Sequence, residues 1–286
     1  MMGPMRGVRV LGGIALLGAF AAPAPAADAG IPSTVRTADG VVDGGATDSA
    51  EPRCVGKERP LGSGLRITSA APGDRALLYR FRRAGKRRYE VGTFSPQAGA
   101  DPISYRASVI CSRLGRHLRP FESGPYAISN GEFEFAGIAC EPDEIAIAAA
   151  FANPEFEGGP SQQLPYRSEK VKRRSWSVGT FNAGAISTVR MHAICALRSK
   201  LRVETRRRNA TLQPGATRSI KRRCRKGWTA IAGGFESEFG TVPNRTGHVI
   251  ESHRAGRRGW RVTFGYQGGL GAPLAIGVQA VCAKRR

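Results

Sequence analysis

The sequence predicts an all-β protein made of three tandem, disulfide-stapled, sandwich-like repeats of about 85 residues each. Three observations carry that expectation. One order of landmarks occurs three times along 286 residues. The residues leading into the last landmark of each copy alternate between apolar and polar. The six cysteines fall two to a copy. With 41% hydrophobic residues the chain can bury real cores, which excludes wholesale disorder.

The first segment, residues 1–26, reads as a secretory signal. Arg6 and Arg9 supply a positive start, Val10–Ala22 a short apolar run, and Ala24-Pro25-Ala26 the small-x-small cleavage pattern. A mature chain beginning near Ala27 is therefore expected. Beyond this segment no apolar run approaches the roughly 18 residues that a membrane helix needs.

The repeats follow as residues 30–114, 115–199 and 200–286. The first carries Gly45-Ala46-Thr47-x-Ser49, Cys54, Tyr89-x-Val91-x-Thr93-Phe94 and Ala107–Cys111. The second carries Cys140, Trp176-x-Val178-x-Thr180-Phe181 and His192-Ala193-Ile194-Cys195. The third carries Gly215-Ala216-Thr217-x-Ser219, Cys224, Trp260-x-Val262-x-Phe264 and Gln279-Ala280-Val281-Cys282. First cysteine to aromatic is 35, 36 and 36 residues, and aromatic to second cysteine is 22, 19 and 22. Gly45, Gly131 and Gly215 each stand nine residues before the first cysteine of their copy.

Local patterns assign the elements in order. Tyr105, Ala107, Val109 and Cys111 share one parity, as do Val189, Met191, Ala193 and Cys195, and Ile276, Val278, Ala280 and Cys282. Period two marks half-buried strands. Leu78–Arg82 and Val249–His253 lead into Ala84-Gly85 and Ala255-Gly256, which read as hairpins with glycine at the tip. Lys170-Val171-Lys172 stands there in the second copy without glycine, so a different turn is expected. Glu144–Phe151 and Trp228–Phe235 are apolar runs open to strand or short helix. The pairs Gly158-Gly159 and Gly233-Gly234 favour strands with tight turns. Each copy is expected to carry its own core.

Six cysteines allow 15 pairings, and the repeat makes Cys54–Cys111, Cys140–Cys195 and Cys224–Cys282 the natural set. Metal binding is the rival, but there is no Cys-x-x-Cys pair and no Cys/His cluster with zinc spacing. Each bridge would close a loop of nearly sixty residues, worth about 4 kcal/mol in the chain-entropy model.

The order Cys, Gly-Gly-Phe, Trp-x-Val, Ala-x-Cys resembles a secreted repeat found in actinobacterial proteins. The third copy carries it through Cys224, Gly233-Gly234-Phe235, Trp260-x-Val262 and Ala280-x-Cys282. The second replaces the glycine pair with Ala149-Ala150 before Phe151, and the first has Tyr89 for Trp and no clear Gly-Gly-Phe. The resemblance implies a secreted β-rich module and carries over no activity.

Catalytic signatures are missing: no G-x-S-x-G, phosphate loop, G-x-G-x-x-G or H-E-x-x-H. His117, His192, His248 and His253 do not recur at one repeat position, and His192 is out of parity with Cys195, so it reads as part of a solvated strand face rather than a catalytic group. The acidic residues Glu141, Asp143, Glu144, Glu155 and Glu157 lack calcium-loop spacing and read as a face meeting basic neighbours. Tyr89, Trp176 and Trp260 could stack on sugars, but their pairing with Val two residues on favours core anchors. No enzyme, cofactor or metal is implied.

Charge is the remaining signal. The chain has 44 Lys or Arg against 22 Asp or Glu, a formal +22. Residues 30–114 hold 14 basic and 8 acidic, 115–199 hold nine of each, and 200–286 hold 19 and 4. The excess concentrates in the third copy: Arg206, Arg207, Arg208, Lys221, Arg222 and Arg223 around the Gly215 turn, Arg225 after the first cysteine, and Arg254, Arg257 and Arg258 at the Gly256 tip. Arginine offers paired hydrogen bonds to sulfate, phosphate and carboxylate. The sequence therefore predicts a secreted or envelope-associated module that binds polyanions through its third repeat. Acidic glycans, wall polymers, anionic lipid surfaces and extracellular nucleic acid are the candidate partners. A structural or adhesive surface protein with no dedicated ligand is the alternative, and a secreted hydrolase or peptidase inhibitor a second one.

Overall fold

The computed structural model describes residues 30–69, 77–114, 118–129, 131–152, 163–182, 187–238, 246–267 and 272–286. The expected export segment 1–26, His117, Glu155, Glu157 and the Gly158-Gly159 pair lie outside these residues.

Each copy supplies six strands. The first gives β1 (Thr34–Val42), β2 (Thr47–Ala50), β3 (Arg59–Ile67), β4 (Leu77–Arg83), β5 (Tyr89–Phe94) and β6 (Ile103–Ser112). The second gives β7 (Leu118–Ile128), β8 (Phe133–Ala139), β9 (Glu144–Ala152), β10 (Gln163–Lys170), β11 (Ser175–Asn182) and β12 (Ser187–Leu197). The third gives β13 (Leu201–Leu212), β14 (Thr217–Arg223), β15 (Thr229–Ser237), β16 (Thr246–Arg254), β17 (Gly259–Gln267) and β18 (Leu274–Arg285). No α-helix occurs among the described residues. The all-β class holds, and both apolar runs open to helix, Glu144–Phe151 and Trp228–Phe235, form strands. The parity expectation holds too: Ile103, Tyr105, Ala107, Val109 and Cys111 are buried while Arg106 is exposed. The bridges Cys54–Cys111, Cys140–Cys195 and Cys224–Cys282 form as the repeat suggested, with Cα–Cα distances of 5.6, 5.8 and 5.6 Å.

The strands assemble into three six-stranded walls, ordered β1-β6-β3-β16-β17-β14, β2-β5-β4-β9-β12-β7 and β13-β18-β15-β10-β11-β8. Every wall is half one copy and half another. The halves meet at the same repeat position each time: Phe81 opposite Phe151, Ser168 opposite Phe235, and Ser252 opposite Leu65. Successive walls are joined at a corner where an edge strand of one turns into an edge strand of the next. Gly45, Gly131 and Gly215 make these three turns, at φ of +79°, +75° and +69°. That left-handed conformation, which a Cβ disfavours, explains a glycine nine residues before each cysteine. Bulges at Leu61, Ile147 and Ile231, each 0% exposed, bend equivalent strands inward.

Sharing the walls merges the cores. Buried residues of all three copies, from Ile31 through Phe151 to Ala283, form one contiguous hydrophobic cluster. A separate core for each copy is therefore not what the chain builds, because each copy's two three-stranded sheets are completed by its neighbours. Gly233-Gly234 is likewise no tight turn but the middle of β15. A Cβ on Gly233 would stand 2.1 Å from the Trp260 indole, and one on Gly234 2.3 Å from the Ser168 carbonyl oxygen of the adjoining half-wall. In the first copy Ser63-Gly64-Leu65 occupies this place, and a Cβ on Gly64 would meet the Ser252 carbonyl oxygen at 2.7 Å.

Candidate anion-binding site

Register fixes which loops gather. Thr34 pairs with Cys111, Arg59 with Ser112, Arg223 with Gly259, Thr229 with Ala283 and Ser175 with Ala139. With the three disulfides tying wall to wall, all six cysteines and the hairpin tips between β4–β5, β10–β11 and β16–β17 lie at one end of the molecule. Each tip carries two consecutive cations at the same repeat position: Lys86-Arg87, Arg173-Arg174 and Arg257-Arg258.

The tip backbones are fastened from below. The amides of Cys54, Cys140 and Cys224 donate to the carbonyls of Arg87, Arg174 and Arg258 at 2.9, 2.9 and 2.7 Å. Ala146 and Ala230 donate to Arg173 and Arg257 at 3.2 and 3.0 Å. A third cation braces each hairpin at its base. Arg83 donates to the Gly85 and Lys86 carbonyls, Lys170 to Ala146 and Arg173, and Arg254 to Gly256 and Arg257. Burial lowers the pKa of all three, Lys170 to about 8 and Arg254 to about 10, with neighbouring arginines contributing to the shift. Their hydrogen-bonding capacity is turned inward, so they hold the tips rather than face a ligand.

The opposite end has the other sign. Among the described residues, its turns carry Asp43, Asp101, Glu132 and Glu238 and no Lys or Arg, although Arg66 and Arg218 stand on the adjoining ends of β3 and β14. The chain is thus polarised along its long axis, with a field that favours anions at the disulfide end.

The ten cations expected from the sequence divide into two groups. Arg207 lies on β13 but reaches into the neighbouring half-wall, donating to buried Glu169 at 3.1 Å and pairing with Glu236. Glu169 also accepts from Arg167 Nε at 2.7 Å and from Gln279 Nε2 at 2.6 Å. Arg254 is the hairpin brace described above and also donates to Ser33 at 3.0 Å. Arg225 faces Glu204 at 3.7 Å, and Arg206 spans the corner to the Arg223 carbonyl at 3.5 Å. The second group, Arg208, Lys221, Arg222, Arg223, Arg257 and Arg258, forms no ion pair among the described residues. Of these, Arg208, Arg223, Arg257 and Arg258 are exposed.

The structure adds residues that sequence reasoning missed. A groove of about 690 Å³ opens at the disulfide end between the first and third copies, lined by Arg113, Arg257, Arg285 and Glu58 among others. Glu58 is occupied, accepting from Thr34 Oγ1 at 3.1 Å. Lys86, Arg87, Arg173 and Arg174 were also missed, although aligning the three hairpins would have shown their equivalence to Arg257 and Arg258.

The other candidate residues, where described, lie in the core or meet neighbours within the fold. Tyr89, Trp176 and Trp260 are 1%, 0% and 1% exposed, core anchors as their Val partners suggested. His192 is not on a solvated face: packed beside Glu122 with its Nδ1 3.7 Å away, it has its pKa lowered by burial. Glu141 and Glu144 meet Arg119 at 3.2 Å, the acidic face against a basic neighbour. Glu144 does come close to Cys140 and Cys195, but both sulfurs are spent in a disulfide and unavailable to a metal. Three disulfides and no free cysteine suit an oxidising, extracytoplasmic environment. Comparison with protein-family models gives no match for this chain, and comparison with curated proteins gives none either.

Proposed function

We propose that this is a non-enzymatic module acting outside the cell that binds polyanions through its third unit. The observation carrying this reading is the set of exposed arginines Arg208, Arg223, Arg257 and Arg258, which form no internal ion pair among the described residues. They sit on adjoining edges β13 and β14 and on the tip beside them. The disulfides and the export-type pattern of residues 1–26 support an extracellular setting, where sulfated, phosphorylated and carboxylated polymers abound.

Binding of this kind is multivalent, indifferent to monomer sequence and weakened by salt. For a nucleic-acid duplex the logarithmic salt slope is about −0.9 per phosphate neutralised. The test is affinity for a heparin-type polymer at two salt concentrations, with the full chain and with the Arg208→Gln, Arg223→Gln, Arg257→Gln, Arg258→Gln variant. Tight, salt-sensitive binding by the parent and a loss of tenfold or more in the variant is the expected result. Equal affinity of the two proteins would remove the third unit as the site.

A further inference from the structure

We propose that the protein docks end-on against an anionic lipid bilayer, its disulfide end down, with the basic hairpin tip of every unit reaching the headgroups. The inference rests on the polyanion reading and extends it from one unit to three and from any polyanion to a flat phosphate surface. Four observations carry it. First, the cation pairs Lys86-Arg87, Arg173-Arg174 and Arg257-Arg258 recur at one structural position in units whose net charges otherwise differ widely. Second, all three tips lie at the same end with their carbonyls bonded inward, and Lys86, Arg173, Arg257 and Arg258 are exposed there. Arg87 and Arg174 are partly exposed, and Arg87 also donates to the Gly56 carbonyl at 3.1 Å. Third, the described turns of the far end bear carboxylates and no Lys or Arg, with Arg66 and Arg218 set back on the adjoining strands, so a negative surface orients the molecule before contact.

The fourth observation separates a bilayer from a soluble polymer. Val55, beside Cys54, and Val171, on the second tip, are 52% and 46% exposed at this same end. Apolar side chains among cations fit an interface that is charged at its surface and apolar beneath it. Strand spacing makes each six-stranded wall roughly 24 Å wide, so the three tips fall within a disc of that order. A plane touches all three at once. A linear polymer following the groove at Arg113, Arg257 and Arg285 would leave the second tip unused.

The experiment is co-sedimentation with vesicles of phosphatidylcholine and with vesicles containing one third phosphatidylglycerol. Heparin-type polymer binding is measured on the same proteins. Three variants neutralise the cation pair of one tip each: Lys86→Gln with Arg87→Gln, Arg173→Gln with Arg174→Gln, and Arg257→Gln with Arg258→Gln. An unchanged melting temperature shows that each is folded. Expected is binding to the phosphatidylglycerol vesicles alone, weakened on the order of tenfold by any one of the three variants. If only the third-unit variant weakens vesicle binding, three-point docking is overturned while the third-unit polyanion site stands. If the polymer binds and the vesicles do not, the bilayer is overturned and the polyanion reading again stands. If neither binds, both fall.

Discussion

Trp260 donates its indole N–H to Ser252 Oγ at 3.0 Å, and the same pair recurs one unit earlier, Trp176 to Ser168 at 3.1 Å. Ser252 and Ser168 are the residues at which one unit's half-wall pairs with the next, opposite Leu65 and Phe235. The buried aromatic is therefore tied to the seam. In the first unit the pair is Tyr89 with Phe81, and the Tyr89 hydroxyl is buried without a hydrogen-bond partner. Replacing Ser252 with Ala strips a buried donor of its acceptor and should cost about 1–3 kcal/mol by denaturant unfolding. Tyr89→Phe removes an unsatisfied group and should leave stability unchanged or raise it by up to about 1 kcal/mol. A loss in Tyr89→Phe equal to that in Ser252→Ala would contradict this.

Arg207 and Arg208 are adjacent in sequence and opposite in role. Arg207 helps to satisfy the buried Glu169 carboxylate together with Arg167 and Gln279, across the seam between the second and third units. Arg207→Gln should lower stability by about 1–2 kcal/mol, since two partners remain and the arginine itself is half exposed. Arg208→Gln should change it by no more than about 0.5 kcal/mol. Polyanion affinity should respond in the reverse order, falling in Arg208→Gln at unchanged stability. Thermal unfolding and polymer binding on the two variants check both statements.

Lys170 should titrate near pH 8, pushed down by burial and, secondarily, by Arg173. Below that pH both folded and unfolded chains hold the proton. Between about 8 and the ordinary lysine value of 10.5 only the unfolded chain does, so this residue makes stability rise with pH across that window. Side-chain NMR of the lysine Cε and Nζ reads the midpoint directly. Lys170→Met should flatten the corresponding slope, and a midpoint near 10.5 would contradict the burial.

Much of this was written in the sequence, and the part that was not has a physical reason. Cysteine spacing announced the three units and their bridges because a staple closes a loop of fixed length. Strand parity announced the buried side of β6 and β12 because the pleat repeats every two residues, whereas β18 is buried on both faces from Ile276 to Ala283. The wall sharing was hidden. Its signature is Gly234 and Gly64, glycines kept small by a neighbouring unit's backbone, and a glycine pair read alone resembles a turn. Arg207 was misassigned for a similar reason: its carboxylate partners, Glu169 and Glu236, lie 38 and 29 residues away, and one of them is in another unit. The threefold basic end was legible in Lys86-Arg87, Arg173-Arg174 and Arg257-Arg258, but total charge drew attention to the third unit alone.

The central claim is that three units close into one body whose shared walls hold the basic tips at one end. Removing the third disulfide with Cys224→Ser and Cys282→Ser takes away about 4 kcal/mol of loop constraint in the third unit. Hydrogen exchange resolved by segment then reports where protection is lost. Because β16 continues the wall of β3, and β15 that of β10, protection should fall in β3 and β10 along with the third unit. Full protection across residues 30–199 beside an opened 200–286 would contradict the shared walls.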